Sequence, residues 1–145
     1  MRVKELMSDR VVTLLMTSTL DLATDIMSMA RIRHLPVVDE RGGLVGIVSQ
    51  RDLYRAGISS VLGLTGETQR EWLIKIPVHE VMTREVVTVE PEASIVEAMH
   101  RLLEGQFGCL PVVENGRLVG LLSETDCLRC FRDMLTAGRF RDLLC

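Results

Sequence analysis

The spacing of apolar residues changes period several times along the chain, and the changes occur twice in the same order. Leu20, Ala23, Met27 and Ala30 recur at three- and four-residue intervals, which predicts one buried face of a helix. Ile95, Ala98, Met99, Leu102 and Leu103 form a second such stripe. Two short apolar runs follow each stripe, Leu35 to Val38 with Leu44 to Val48, and Leu110 to Val113 with Leu118 to Leu122. Gly42-Gly43 and Asn115-Gly116 separate them, and these residues suit the positive φ angles of hairpin turns. A short strand over 11–14 precedes the first helix, and a last helix opens behind Ser49 or Ser123. Ser18-x-x-Asp21 and Ser94-x-x-Glu97 have the spacing of capping boxes at the first helix of each copy. Each copy thus reads as β-α-β-β-α.

The repetition is also one of residue identity. Met7 and Met82, Thr13 and Thr88, Ala23 and Ala98, Leu35 and Leu110, and Pro36 and Pro111 pair at an offset of 75. After the hairpin turn the offset becomes 74, carried by Gly46 and Gly120, Ser49 and Ser123, and Asp52 and Asp126. This divides the chain into a first repeat over 1–56, a connection over 57–76, a second repeat over 77–135 and a tail over 136–145. The connection is expected to hold a short helix around Glu67 to Leu73. A unit of about 60 residues buries only about 60% of its unfolded surface and is marginal alone, so the repeats are expected to pack through their sheets with approximate twofold symmetry. The fold class is α+β.

Composition narrows the function. The 145 residues are 47% hydrophobic and 26% charged, with a net charge of −3, which disfavours nucleic acid as the main partner. No apolar stretch approaches the roughly 20 residues of a membrane span, and no secretory signal is evident, so a cytoplasmic location is expected. Cys109, Cys127, Cys130 and Cys145 are read as free thiols. Cys127-x-x-Cys130 has redox-pair spacing but lies in an apolar stretch without the usual Pro or Gly, and the histidines offer no zinc spacing. His79 and His100 are expected at the surface.

The repeated Ser-x-x-Asp, at Ser49 and Asp52 and again at Ser123 and Asp126, has two readings. As a capping pair, the hydroxyl accepts a backbone N–H and the acid complements the helix dipole. As a ligand site, the helix N-terminus offers free N–H donors to a phosphate, and the carboxylate accepts two hydroxyl protons from a sugar diol. Gly46 would let another element approach the strand. Met7 and Met82, at repeated apolar positions, are read as core fillers before ligand contacts.

The paired pattern of "LPVV" followed by Gly-hydrophobic-x-Ser-x-x-Asp resembles a tandem cystathionine-β-synthase (CBS) domain pair over about residues 3–135. The resemblance implies a pseudo-twofold module whose clefts bind AMP, ADP, ATP or S-adenosylmethionine. It implies that Asp52 and Asp126 hold the ribose, that Ser49 and Ser123 help bind phosphate, that Ile47 and Leu121 occupy the motif's hydrophobic position, and that Thr13 and Thr88 lie beside the base. Arg33 and His34 resemble residues that contact phosphate in some members, whereas the second copy has Gly108 and Cys109 there. The resemblance further implies a homodimer, for which Leu128, Phe131 and Leu135 offer an apolar stripe, and a protein effector of unknown identity. No nucleophile motif, P-loop or dinucleotide fingerprint occurs, so no enzyme activity and no required cofactor are expected. A regulatory module sensing an adenosine compound is the expectation, with a ligand-free dimerisation or interaction module as its rival.

Overall fold

The computed structural model describes residues 1–61, 71 and 73–138, and in it the chain divides into two compact units, Val12–Val86 and Met1–Val11 with Val87–Cys145. Most of the helix expected around Glu67 to Leu73, and most of the tail, lie outside the described residues.

In the unit Val12–Val86, β1 (Leu14–Leu15), β2 (His34–Val38) and β3 (Leu44–Ser49) form one sheet, β1 parallel and β3 antiparallel to β2. Helix α1 (Leu20–Ala30) and helix α2 (Gln50–Val61) complete it. The β2 run "HLPVV" is buried almost throughout, as a central strand must be, and Leu20, Ala23, Met27, Leu35, Val37 and Val48 form the core with Val78 and Met82. The first strand lies later than the expected 11–14. The expected capping box at Ser18 is absent. Thr19 is the N-cap of α1, its side chain caps nothing, and its hydroxyl donates to the Asp21 carboxylate instead. Backbone takes over the cap's task, because Leu20 N–H donates to the Ile76 carbonyl (3.0 Å) and the Ser18 carbonyl accepts from Val78 N–H (2.7 Å).

The other unit holds α3 (Ile95–Gly105), the hairpin β4 (Cys109–Glu114) and β5 (Arg117–Ser123), and α4 (Glu124–Thr136). Ser94 does cap α3, accepting from Val96 N–H, while Glu97 pairs with Arg101 rather than closing a box. Asn115 (φ 49°) and Gly116 (φ 78°) make the predicted left-handed hairpin turn. The expected first strand is reduced to a single parallel bridge between Val89 and Val112. The reason is one residue. Met16 N–H donates to Val38 O (3.0 Å) in the first copy, and the matching position is Pro91, which has no N–H to extend the ladder.

Each unit takes its leader from the opposite copy. The 3₁₀ turn Val3–Glu5 is built into the unit of the second repeat, and the turn Val78–Glu80 into that of the first. Val3 and Val78 are both fully buried. Ser8 and Leu121 exchange two backbone bonds of 2.9 Å, and Thr83 and Ile47 exchange bonds of 2.9 and 3.0 Å. The close approach explains two glycines: a Cβ on Gly46 would lie 2.5 Å from Met82 Sδ and 2.9 Å from Thr83 O, and one on Gly120 would lie 2.5 Å from Met7 Sδ. Gly46 therefore does admit another element, the methionine-bearing leader.

Candidate functional site

The β3-to-α2 junction gathers most of the residues the sequence singled out in the first copy. Ser49 N–H and Oγ–H donate to Asp52 Oδ2 at 2.8 and 2.9 Å, and Asp52 N–H donates to Ser49 Oγ at 3.1 Å. This is a reciprocal capping box with Asp in the acidic position. His34 stands opposite Ser49 across the β2–β3 ladder, and the Arg33 carbonyl accepts from Gln50 N–H at 2.8 Å, so both flank the start of α2. Arg33 is exposed and His34 half-buried. Ile47 pairs with Pro36 on one side and Thr83 on the other. Since Leu14 pairs with Val37, the parallel register carries Thr13 to the row of Pro36, at the far edge of the same sheet. Thr13, Pro36, Ile47 and Thr83 thus share one row.

The second copy repeats this frame. Ser123 N–H and Oγ–H donate to Asp126 Oδ2 at 2.8 and 2.6 Å, and Asp126 N–H returns to Ser123 Oγ at 3.2 Å. Cys109 faces Ser123, and the Gly108 carbonyl accepts from Glu124 N–H at 3.1 Å. Leu121 lies between Pro111 and Ser8, and the Val89–Val112 bridge brings Thr88 to the row of Pro111. The Thr88 carbonyl accepts from the Arg101 guanidinium at 2.8 Å.

Both readings of Ser-x-x-Asp are compatible with this geometry, because the cap uses only one carboxylate oxygen. In the second copy Asp126 Oδ1 looks towards Arg129, 3.7 Å away, and the Asp126 side chain is 17% exposed. Asp126 lines a cavity of about 450 Å³. Its walls are Met1, Leu6, Cys130 and Met134, with Arg129 and Asp133 adding charge. Apolar walls with a few polar groups are what a small-molecule site requires.

Burial pushes the Cys109 thiol up to about 12, with the Asp126 and Glu124 carboxylates adding to the effect. Cys127 is raised for the same first reason. Both therefore favour the neutral thiol. Cys109, Cys127 and Cys130 are free, and among the described residues no group of His, Cys, Asp or Glu is arranged to hold a metal ion. His100 is exposed, but His79 is half-buried, its backbone N–H donating to the Met16 carbonyl at 3.3 Å. Met82 is a core residue and Met7 packs against the other core.

Ser8 and Thr83 were not among the residues the sequence singled out, though they pair at the same offset of 75. Nor were Arg129 and Asp133, whose place at the cavity follows from helical spacing from Asp126.

The profile of the CBS domain matches residues 3–59 and 78–133. A CBS domain-containing protein of Dictyostelium discoideum is 37% identical over 127 residues, covering 87% of this chain and 88% of that one. Homoserine O-acetyltransferase of Methanococcoides burtonii is 33% identical over 86% of this chain, which spans only 23% of that enzyme. Among solved structures, the AcuB protein of Vibrio cholerae superimposes with a TM-score of 0.80 at 35% identity, covering 96% of both chains. A CBS domain pair in complex with 5′-methylthioadenosine and S-adenosyl-L-methionine gives 0.76 at 27% identity, covering 92% and 97%. CBSX2 of Arabidopsis thaliana in complex with AMP gives 0.76 at 25%, with the same coverage. Among the described residues no helix is long and apolar enough to cross a membrane. With two profile matches on two copies of one α+β frame, the chain belongs to the CBS domain family and carries two such domains in tandem.

Proposed function

We propose that the chain is a regulatory module that senses an adenosine compound, each repeat using its Ser-x-x-Asp turn to hold the ribose. The observation that carries this reading is the doubled junction itself. In both copies the carboxylate of Asp52 or Asp126 is oriented by its own N-cap through Oδ2, and a carboxylate fixed in this way is preorganised to accept hydroxyl protons at its other oxygen. The 450 Å³ cavity at Asp126 supplies a volume suited to a nucleoside. Ser49 and Ser123 would stand beside a phosphate or ribose oxygen, Ile47 and Leu121 and the threonines at 13 and 88 along the base, and Arg33 and His34 beside phosphate. AMP, ADP, ATP and S-adenosylmethionine are the ligands to test, in keeping with the relatives solved with AMP or S-adenosyl-L-methionine. The module itself needs no cofactor, carries out no reaction, and acts in the cytoplasm on a protein effector.

Thermal melts against AMP, ADP, ATP, NADH and S-adenosylmethionine test the reading. A ligand at 100 times its dissociation constant stabilises by about 2.7 kcal/mol, a shift of several degrees. No shift across the panel would overturn it.

A second reading, dimerisation without ligand, is favoured by one feature. Leu128 (67% exposed) and Leu135 (49%) reach solvent on α4, with Phe131 (46%) between them. Light scattering of the native chain against Leu128→Glu tests it: a dimer that the substitution splits supports self-association, and a monomer in both refutes it.

A further inference from the structure

Three sulfur-bearing residues line the cavity beside α4, Met1 from the leader and Cys130 and Met134 from the helix. Cys130 and Met134 stand four residues apart, so they share one helix face, separated by a rise of about 6 Å. The Cys130 thiol donates to Met1 Sδ across 4.0 Å. Cys127 stands apart, packed against the core of Leu110, Val112 and Leu122. The frame does not need this sulfur, because the first copy has Ile76, Ala56 and Ser60 at the positions matching Met1, Cys130 and Met134.

The oxygen donors of the same wall are already engaged. Asp126 Oδ2 is held in the cap while Oδ1 faces Arg129, and the Asp133 carboxylate accepts from the Arg132 guanidinium at 2.7 and 2.9 Å. Among the described residues no histidine lines the cavity. What remains is a soft donor set of one thiol and two thioethers. Zn(II) takes thiolate, imidazole and carboxylate in fours and does not draw on thioethers, and Mg(II) and Ca(II) take oxygen, whereas Cu(I) is selected by thiolate and thioether together. The spacing agrees with this choice. An ion at about 2.3 Å from each of two sulfurs, with about 120° between them, sets the sulfurs about 4.0 Å apart, and that is the span from Cys130 to Met1.

We infer that Met1, Cys130 and Met134 form a three-coordinate site for Cu(I). Binding releases the thiol proton and forms one copper–thiolate and two copper–thioether bonds, with no change of oxidation state. Met1 is 60% exposed, which gives the ion its way in, and the rotatable methionine side chains close on it from the leader and from α4. The bound ion ties the leader to α4, adding to the Ser8–Leu121 bonds that already join the leader to β5. The inference is independent of the nucleoside reading, since it uses neither Ser123 nor the Asp126 carboxylate.

Anaerobic titration of the full chain with Cu(I) against a colorimetric Cu(I) chelator tests it, with circular dichroism as the check that each variant folds. One Cu(I) per chain should be withheld from the chelator. Cys130→Ser and Met134→Leu should each weaken binding by at least about tenfold, and Cys127→Ser should leave it within about twofold. X-ray absorption at the copper edge should find sulfur alone, at about 2.3 Å. Loading should slow amide exchange at Leu121, whose N–H donates to the Ser8 carbonyl of the leader. Loss of all the copper to the chelator, nitrogen or oxygen in the coordination shell, dependence on Cys127 in place of Cys130, or unchanged exchange at Leu121 would each overturn the inference. If Cys130→Ser does not fold, Met134→Leu decides, and an unchanged affinity in that variant overturns the inference.

Discussion

Single residues carry unusual weight in this chain because the leaders press against bare backbone. Gly46→Ala would place a methyl 2.5 Å from Met82 Sδ and 2.9 Å from the Thr83 carbonyl. The thioether can swing aside, but the carbonyl is held in a bond to Ile47, so the substitution should cost about 1–3 kcal/mol in urea unfolding, and Gly120→Ala a similar amount. An unchanged midpoint would show that the leader does not pack there. Cys109 makes a second prediction at this scale. Its folded value of about 12 lies above the ordinary 9.0, so the neutral thiol's contribution is complete below pH 9 and lost as the pH rises towards 12. The stability difference between the native chain and Cys109→Ala should therefore shrink from pH 8 to pH 11; a constant difference would contradict the burial of this thiol.

At the scale of elements, the leaders decide which segment supports which sheet. The Ser8 carbonyl accepts from Leu121 N–H, and the Thr83 carbonyl accepts from Ile47 N–H. Deleting residues 1–8 should speed hydrogen exchange at Leu121 by tenfold or more while Ile47 keeps its protection, the difference amounting to the loss of one local bond of about 1.4 kcal/mol. Equal loss at both amides would contradict the division into these two units. This exchange of leaders was not legible in the sequence, since the offset that identifies the copies says nothing of which copy a leader packs on. The helices and hairpins were legible, because buried stripes at Leu20–Ala30 and Ile95–Gly105 and the turn residues Gly42 and Asn115-Gly116 act locally. Two details differ from the sequence reading, one through a tertiary bond and one through a missing N–H. The 76–78 backbone replaces the Ser18 cap, and Pro91 truncates a strand whose apolar pattern alone had suggested a full ladder.

For the whole molecule, duplication followed by divergence is the informative event. The Ser-x-x-Asp junctions were visible as sequence and occur as two nearly identical hydrogen-bonded turns. What the sequence could not give was the direction of the carboxylates, because capping and ligand binding require the same residue types at the same spacing. The structure shows the cap, with one oxygen engaged in it and the other facing Arg129 at the edge of a cavity in the second copy, and so leaves room for the ligand reading. The family relationship is consistent with this use of the turn, although the homoserine O-acetyltransferase relative shows that such a pair also occurs within a much longer chain. The central claim is that a capped aspartate holds the ribose diol, and the most direct measurement leaves the protein untouched: calorimetric affinities of AMP and 2′-deoxy-AMP for the full chain. The account predicts saturable AMP binding and a loss of about tenfold for the deoxy compound, the value of one charge-assisted hydrogen bond. Equal affinities, or no binding of AMP at all, would contradict it.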